Sequence, residues 1–215
     1  MPSVSTEAII LKRKNFGEAD RMLTVLTDRY GKISVVAKGV RRITSRRAGN
    51  VEVLNRVKLH LFKSKSYTLT EAESIETFSI LKENLVLSTT AFHVLELVDR
   101  LTGEEQRNIS VYNLTLGIFH ILEKNPRQIF LRAFEVKLLN LLGFWSIDAI
   151  ADLDLELKKI LENLEYISWQ EIGEMKINEE CAVALERILR YYIERILESN
   201  LRSVSVLRRL NDVRQ

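Results

Sequence analysis

Five cationic side chains and no carboxylate lie within thirteen residues near the start of the chain, in the segment KGVRRITSRRAGN that spans 38–50. Guanidinium groups form bidentate contacts with phosphate and stack on nucleobases, so a cluster of this kind can bind a polyanion. The two glycines of the segment, and its position between two predicted strands, indicate a loop. We predict that this loop binds nucleic acid through Lys38, Arg41, Arg42, Arg46 and Arg47. The alternative is that these cations only make the surface soluble.

Further cations lie in the same part of the chain. Lys12, Arg13 and Lys14 end the first predicted strand, and we expect them to flank the loop as phosphate contacts. Residues 1–75 contain 15 Lys and Arg against 7 Asp and Glu, a net charge of +8, whereas the whole chain has a net charge of +3. Residues 146–186 have a net charge of −8. This division predicts a module that faces a polyanion, attached to a less basic part.

Residue types that perform catalysis are present but are not grouped. Glu18 and Asp20 could hold a metal ion for phosphodiester cleavage, although an acidic pair beside Arg21 more often forms a local turn. The three histidines are isolated from one another, and there is no glycine-rich phosphate loop. A lone cysteine such as Cys181 is more often a small buried hydrophobe than a nucleophile. We therefore expect a protein that is not an enzyme and that needs no cofactor.

Length and composition are those of a globular protein. A chain of 215 residues can bury a substantial core, in one large domain or two small ones. The N-terminal sequence lacks the features of a secretory signal, and no run approaches the roughly 18 apolar residues of a membrane span. We expect a cytoplasmic protein with no membrane contact.

Hydrophobic periodicity divides the chain into two parts. Residues 1–78 contain five short runs rich in Val, Ile and Leu, and in one of them Val57, Leu59 and Leu61 share a face. Five strands in so short a stretch predict a small closed barrel, with an OB-fold preferred over an SH3-like barrel. Residues 79–215 repeat apolar residues at helical spacing. The predicted fold class is therefore α+β, with an OB-fold over 1–78 and a helical domain over 79–215.

Three residues predict the ends of helices. Pro126 is placed to begin a helix in its first turn, and Gly143 is placed to end it. Asn178 is the predicted N-cap of the clearest amphipathic helix, with Glu179 and Glu180 in its first turn.

The segment AIILKRKNFGEADRMLTVLTDRYGKISVVAKGVRR resembles the opening of the bacterial recombination mediator family RecO. A strand and a Gly-Glu-Ala-Asp-Arg turn come first, followed by a run whose matching residues are Thr27, Gly31, Lys32, Lys38, Gly39, Arg41 and Arg42. The resemblance continues in LTEAE, in FLRAFEVKLLNLLGF and in RYYIERILESNLRSVSVLRRL. It therefore covers both parts of the chain in the same order.

The resemblance implies a function and a set of partners. RecO-like proteins bind single- and double-stranded DNA, anneal complementary strands and help to load RecA onto DNA coated with single-stranded-DNA-binding protein. They work with RecR, and they dock the acidic C-terminal tail of the coating protein on the helical domain. Arg132 matches the tail-binding arginine position, and a guanidinium beside an apolar groove suits a terminal carboxylate next to an aromatic side chain. The expected groove residues are Leu138, Leu142 and Phe144.

The chain departs from the family in one respect. Many RecO proteins have a four-cysteine zinc motif before the last long helix, whereas the corresponding segment of this chain contains only Cys181. That zinc site cannot form, and we expect apolar packing to hold the segment instead. The expected contributors are Trp145, Tyr166, Ile167 and Trp169.

Other functions stay open from the residues alone. An RNA-binding OB-fold protein would show the same basic loop, because only contacts to 2′-hydroxyl groups distinguish RNA from DNA. An adaptor that binds only protein, with its arginines facing an acidic partner, is a second alternative, and a nuclease is a more remote one. Four arginines near the end of the chain either extend the DNA path or form solvated surface: Arg202, Arg208, Arg209 and Arg214.

Overall fold

The computed structural model of the chain describes residues 3–43, 45, 47–150 and 153–198. Five strands come first and seven α-helices follow within these residues. The predicted DNA contact Arg46 lies outside the described residues, as do the four arginines near the end of the chain. The predicted fold class, an OB-fold barrel followed by helices, is confirmed.

The five strands close into a barrel in the order β1-β2-β3-β5-β4. Their bounds are Ser3–Phe16 (β1), Asp20–Thr27 (β2), Gly31–Ala37 (β3), Arg56–Lys63 (β4) and Tyr67–Glu76 (β5). Every pairing is antiparallel except that of β3 with β5, which is parallel. The long β1 pairs with β4 through its first half and with β2 through its second half, so it links both sides of the barrel.

Alternation along the strands fills the barrel with apolar side chains. In β4, Val57, Leu59 and Leu61 are fully buried, as their shared face predicts, while Lys58 between them is exposed. Burying each such side chain stabilises the fold by roughly 1.5–3 kcal/mol. The barrel core consists of Ala8, Ile10, Leu23, Val25, Ile33, Val35, Ala37, Val40, Val51, Val57, Leu59, Leu61, Tyr67, Leu69 and Ala72.

Seven helices follow the barrel. Their bounds are Ser79–Glu83 (α1), Leu85–Leu101 (α2), Ile109–Lys124 (α3), Gln128–Leu141 (α4), Leu155–Tyr166 (α5), Trp169–Glu174 (α6) and Glu179–Leu197 (α7). A short 3₁₀ helix spans Ile147–Ala149. None of the helices within the described part of the chain is both long enough and apolar enough to cross a lipid bilayer.

The predicted helix ends are correct at two of the three residues. Asn178 caps α7, because its side chain accepts a hydrogen bond from the amide of Cys181. Gly143 follows α4 at a φ of +75°, the left-handed conformation that ends helices and that glycine adopts without strain. Pro126 differs from the prediction, since α4 starts at Gln128 with Arg127 as its N-cap, so the proline precedes the helix rather than occupying its first turn.

The chain forms two compact units, Met1–Leu116 and Gly117–Gln215, with the boundary inside α3. The first unit contains the barrel together with α1 and α2, and α2 packs against β1. In the second unit α4 packs against α5, α6 and α7. Strands give way to helices at residue 78, so the change of secondary structure and the division into compact units occur at different places. The predicted functional division at residue 78 stays a prediction.

Candidate nucleic-acid interface

The tight turn between β1 and β2 holds the carboxylates that the sequence flagged as a possible metal pair. Gly17 adopts a φ of +58° in this turn, and the residue before it, Phe16, is 53% exposed at the end of β1. The Asp20 carboxylate accepts a hydrogen bond from the Gly39 amide at 2.7 Å. Within the described residues no group of three His, Cys, Asp or Glu side chains could hold a metal ion. Asp20 therefore organises the backbone of the basic loop.

Backbone and side-chain atoms of Arg41 make a second connection between the same turn and the basic loop. The Arg41 amide donates to the carbonyl of Ala19 at 2.9 Å, and one guanidinium nitrogen donates to the carbonyl of Glu18 at 3.1 Å. The same nitrogen lies 3.4 Å from the Gly17 carbonyl. The turn and the loop thus form one end of the barrel, with Arg41 exposed between them.

Arg47 has a different role from its neighbours in the sequence. Its guanidinium donates to the carbonyls of Leu69 and Thr70, each at 3.2 Å, and to the carbonyl of Lys38 at 2.9 Å. These bonds fasten the loop to β5, and a guanidinium used in this way has fewer donors left for phosphate. The structure therefore places Arg47 as an anchor of the loop.

Two of the three predicted flanking cations are paired with acidic residues. Arg13 forms a salt bridge with Glu52, and Lys12 lies 3.9 Å from the carboxylate of Asp99. Glu52 also contacts Arg21 at 3.4 Å, so it neutralises part of the charge on this side of the hairpin. These pairs are partly exposed, and phosphate can compete with such carboxylates.

Three predicted cations are exposed and have neither an ion pair nor a side-chain hydrogen bond with any other residue in the described ranges: Lys14, Lys38 and Arg42. Together with Arg41 and Phe16 they occupy the end of the barrel where the β1–β2 turn meets the basic loop. We call these five residues the cationic edge. Cations that form no ion pair stay available to phosphate, so this edge is the part of the barrel best suited to a polyanion.

The outer face of β4 and β5 has a different charge pattern. In the register of the two strands Lys58 lies opposite Glu73 and His60 lies opposite Glu71, so carboxylates accompany the cation there. Such a mixed surface attracts a polyphosphate chain less strongly than a surface of one sign. The basic character of the barrel is therefore concentrated at the cationic edge.

Of the barrel's aromatic residues, one is free to stack on a base at this edge. Tyr30 and Tyr67 pack on each other with ring centres 6.2 Å apart, and Tyr67 is buried. The ammonium group of Lys63 lies 4.8 Å from the centre of the Tyr67 ring and donates to its hydroxyl at 2.8 Å. Phe62 is half-buried, whereas Phe16 is exposed beside the cations. Phe16 is thus the stacking candidate of the cationic edge.

Sequence reasoning missed the two asparagines that hold the far end of the basic loop. Asn55 is 1% exposed and donates to the carbonyls of Gly49 and Asn50, each at 3.1 Å. Asn50 donates to the carbonyl of Ala72 at 2.7 Å. Lys82 donates to the Asn55 side chain, and burial lowers the pKa of this lysine. Asparagine is a common turn residue, which was the available signal, but Ala72 and Lys82 lie 22 and 27 residues from the asparagines that they contact.

Arg132 is buried on α4 in the second unit. It is 8% exposed, and its guanidinium lies 3.2 Å from the carboxylate of Glu135. It lines a groove of about 370 Å³ formed by the start of α4, by α7 and by Ile177, which precedes the N-cap of α7. The apolar walls of this groove come from Ile129, Ile177, Ala182, Val183 and Leu185.

The apolar residues that we expected beside Arg132 lie elsewhere. Leu138 is fully buried in the core of the second unit. Leu142 is half-buried just past the end of α4, and Phe144 is 44% exposed beyond it. The groove therefore has the expected composition, a guanidinium with apolar walls, but different residues build it.

Direct contacts, not zinc ligands, hold the segment between α4 and α7. The chain has a single cysteine, which cannot supply a four-thiolate zinc site. The Trp145 indole donates to Glu165 at 2.8 Å, and its ring lies 5.3 Å from the ring of Tyr192. Trp169 packs on Phe130 with ring centres 6.3 Å apart. The tryptophans act as expected.

Two further residues of this segment differ from expectation in part. Tyr166 is 77% exposed and makes little contribution to the packing, whereas Ile167 is half-buried. Cys181 is buried, and burial raises the pKa of its thiol, as do Glu156 and Asp154 nearby. A thiol with a raised pKa is a poor nucleophile, in agreement with a packing role.

A closed five-stranded barrel followed by helices defines a protein of the OB-fold class. Residues 1–78 match the family described as Recombination protein O N terminal, and residues 82–145 match Recombination protein O C terminal. A protein of Roseiflexus sp. (strain RS-1) named DNA repair protein RecO is 30% identical over 246 residues, which cover 98% of this chain and 86% of that protein. The chain therefore belongs to the RecO family of DNA repair proteins.

Two other relatives share a shorter region. Proteins named DNA repair protein RecO in Symbiobacterium thermophilum and in Listeria monocytogenes serotype 4b are 37% and 33% identical. These matches cover 67% and 65% of this chain, and 58% and 55% of the relatives. The chain thus spans less than two thirds of the length of these two relatives.

Proposed function

We propose that this protein binds DNA through the cationic edge, anneals complementary strands and acts as a recombination mediator without catalysing a covalent reaction. The observation that supports this proposal is the group of unpaired cations at one end of an OB-fold, with an exposed Phe16 among them. Cations of this kind release condensed counterions when they bind phosphates, which drives binding that depends little on base sequence. The proposed place of action is the bacterial cytoplasm, at the nucleoid.

Annealing needs a surface that holds two strands together and then releases the duplex. Lys38, Arg41 and Arg42 lower the repulsion between two phosphate backbones and raise the local concentration of both strands. Binding of this type stays reversible, because each contact to phosphate exchanges readily with salt. Arg47 holds the loop in place while its neighbours contact the strands.

The proposed mediator activity requires a second surface in the helical unit. The groove at Arg132 supplies a guanidinium for a terminal carboxylate and apolar walls for an aromatic side chain, which are the features that an acidic tail of single-stranded-DNA-binding protein needs. Glu179 and Glu186 also line the groove, and they restrict where the acids of such a tail can lie. Docking on the coating protein would bring the barrel to coated DNA, where RecR and indirectly RecA are the proposed partners.

A binding experiment across a salt series tests the proposal. We would measure the fluorescence anisotropy of labelled single-stranded DNA with the wild type and with a variant in which Lys38, Arg41 and Arg42 are changed to Ala. Three lost phosphate contacts flatten the log–log salt slope by up to about 2, at roughly 0.7 per contact on a single strand. The matched control removes three cations elsewhere on the barrel, by changing Arg29, Lys58 and Lys65 to Ala.

The outcome separates the proposed function from its alternatives. We expect the edge variant to lose affinity and annealing rate, and the control to keep both within about twofold. Equal affinity for RNA with no annealing of DNA would favour an RNA-binding protein. Absence of binding to either nucleic acid at low salt would favour an adaptor that binds only protein, and Mg²⁺-dependent cleavage would indicate a nuclease.

A further inference from the structure

A second cavity of the helical unit has a lining that suits nucleic acid better than peptide. It lies beside α7, has a volume of about 450 Å³, and is bordered by Arg187, Tyr191 and Arg195 on one side. These three residues follow one another at steps of four, which places them on one face of the helix. The two arginines lie roughly 12 Å apart along the helix axis, at a rise of 1.5 Å per residue.

The charge around this cavity is of one sign. Among the described residues, both charged side chains of its lining are arginines and none is acidic. Neither Arg187 nor Arg195 makes an ion pair with another residue in the part of the chain that the structure describes. The acid of the neighbouring 3₁₀ helix, Asp148, lies 4.0 Å from the ammonium of Lys158. The cavity is therefore complementary to an anion.

Tyr191 adds a flat aromatic surface between the two cations. It is 69% exposed, so the face of its ring is accessible to a binding partner. A tyrosine flanked by arginines matches the pairing of stacking platform and phosphate contact by which proteins hold single strands. A single strand would use both the arginines and the open ring.

Hydrogen bonds and a ring contact of Tyr192 hold the far wall of the cavity. The Tyr192 hydroxyl donates to the carbonyl of Phe144 at 2.7 Å and accepts from the amide of Ser146 at 3.0 Å. Its ring also meets the edge of Trp145. Ile150 and Ile188 complete the apolar lining. A preformed apolar pocket beside an exposed tyrosine can accept a base without a large cost in ordering.

We propose that this cavity binds one nucleotide of a single strand, with the base stacked on Tyr191 and the backbone phosphates held by Arg187 and Arg195. The inference rests on the proposed function, because it gives the strand that the barrel binds a second contact in the helical unit. The two surfaces differ in what they recognise. The cationic edge depends mainly on phosphate, whereas the cavity requires a base.

Base-dependent binding distinguishes this cavity from a general attraction of charge. The probes are a labelled oligothymidylate and a labelled backbone of the same length without bases, measured by anisotropy with the full chain. Tyr191→Ala should weaken binding of oligothymidylate at least about fivefold, the lower limit for one lost stacking contact, and should leave binding of the base-free backbone unchanged. Tyr191→Phe keeps the ring and should bind both probes like the wild type.

A double variant tests the arginines separately. Changing Arg187 and Arg195 to Ala should weaken binding of both probes and flatten the salt slope by up to about 1.4, at roughly 0.7 per contact. The matched control changes Lys159 and Lys176 to Ala, which removes the same charge from exposed positions outside the cavity. Circular dichroism and thermal melting check that every variant folds.

Two results would overturn the inference. If Tyr191→Ala binds both probes like the wild type, the ring is not a stacking platform. If an acidic peptide binds the cavity and oligothymidylate does not displace it, the occupant is a peptide and not a nucleotide. In each case the variant of Lys38, Arg41 and Arg42 still decides the proposed function independently. Failure of the wild type to bind oligothymidylate at any salt concentration would overturn both proposals.

Discussion

The Asp20 carboxylate accepts a hydrogen bond from the backbone amide of Gly39 at 2.7 Å, and this contact joins the β1–β2 turn to the start of the basic loop. Removing the acceptor with Asp20→Ala should therefore loosen the loop, and a hydrogen bond to a charged group contributes about 1.5 kcal/mol or more. We expect faster hydrogen exchange at the Gly39 amide and weaker binding of single-stranded DNA.

The conservative change Asp20→Asn keeps an oxygen acceptor and should preserve both properties. Charge alone predicts the opposite effect on affinity, because Asp20→Ala removes a negative group beside the cationic edge. Tighter DNA binding by Asp20→Ala would therefore show that order in the loop does not matter.

Gly31 is the glycine least able to accept a side chain. It adopts a φ of +71°, and a Cβ atom built on it would lie 2.1 Å from the backbone oxygen of Gln106. Gly31→Ala should lower the free energy of unfolding by more than the 1–2 kcal/mol that a left-handed residue costs by itself. Gly17→Ala is the matched control, since Gly17 has a φ of +58° and nothing within 4 Å. Urea unfolding of both variants measures the difference, and equal losses would exclude a steric effect of Gln106.

Tyr112 gives the first unit a dependence on alkaline pH. Its hydroxyl is buried, and burial raises the pKa of this tyrosine to about 12 despite the opposing charge of Arg56. The folded state favours the neutral phenol, so this contribution to stability is complete below pH 10 and is lost as the pH rises towards 12. Over that interval the unfolding free energy of the wild type should fall by about 2 kcal/mol more than that of Tyr112→Phe.

The measurement is urea unfolding at several pH values between roughly 8 and 12. This range includes the pKa of an ordinary tyrosine, about 10. The Tyr112 hydroxyl has no hydrogen-bond partner among the described residues. Tyr112→Phe should for that reason cost little near neutral pH. Parallel pH profiles for the wild type and Tyr112→Phe would show that the phenol has the same pKa in the folded and the unfolded protein.

The groove at Arg132 can be blocked without disturbing the buried pair that Arg132 forms with Glu135. Val183 lines the groove and is 64% exposed, so Val183→Asp places a carboxylate at its apolar wall. We expect an acidic peptide ending in an aromatic residue to bind about tenfold more weakly, a change of about 1.4 kcal/mol.

Leu155→Asp adds the same charge to an 87% exposed helical position outside the groove and should bind the peptide normally. Isothermal titration calorimetry with the full chain measures both variants. Equal affinities of the two variants would place the peptide elsewhere. Binding of single-stranded DNA serves as the check that neither variant has lost its barrel.

The fold was largely predictable, because periodicity records which side of an element is buried. Alternation in β4 identified Val57, Leu59 and Leu61 as core residues, and residue type identified Asn178 as a helix cap. The start of α4 was misplaced at Pro126, because a proline fits the residues that precede a helix as well as its first turn.

The candidate site was predictable only as a segment. Arg42 and Arg47 look alike in the sequence, but one is exposed without a partner and the other donates to carbonyls of β5. That difference depends on how the loop crosses the barrel, and residue type does not record it. The residues that line the groove at Arg132 were predicted wrongly for a related reason. Its walls come from helices that are far apart in the chain, with Ile129 on one side and Val183 on the other.

The parallel pairing of β3 with β5 is the shortest seam of the barrel. It joins only Val35 to Tyr67 and Val36 to Thr68, whereas the antiparallel pairings join at least seven residues each. Transient opening of a closed sheet starts where the fewest hydrogen bonds must break. The basic loop leaves β3 directly beyond this seam and is fastened to β5 by Arg47. The same guanidinium thus bridges the barrel at its shortest pairing, because it bonds both the Lys38 carbonyl just after β3 and the Leu69 and Thr70 carbonyls of β5.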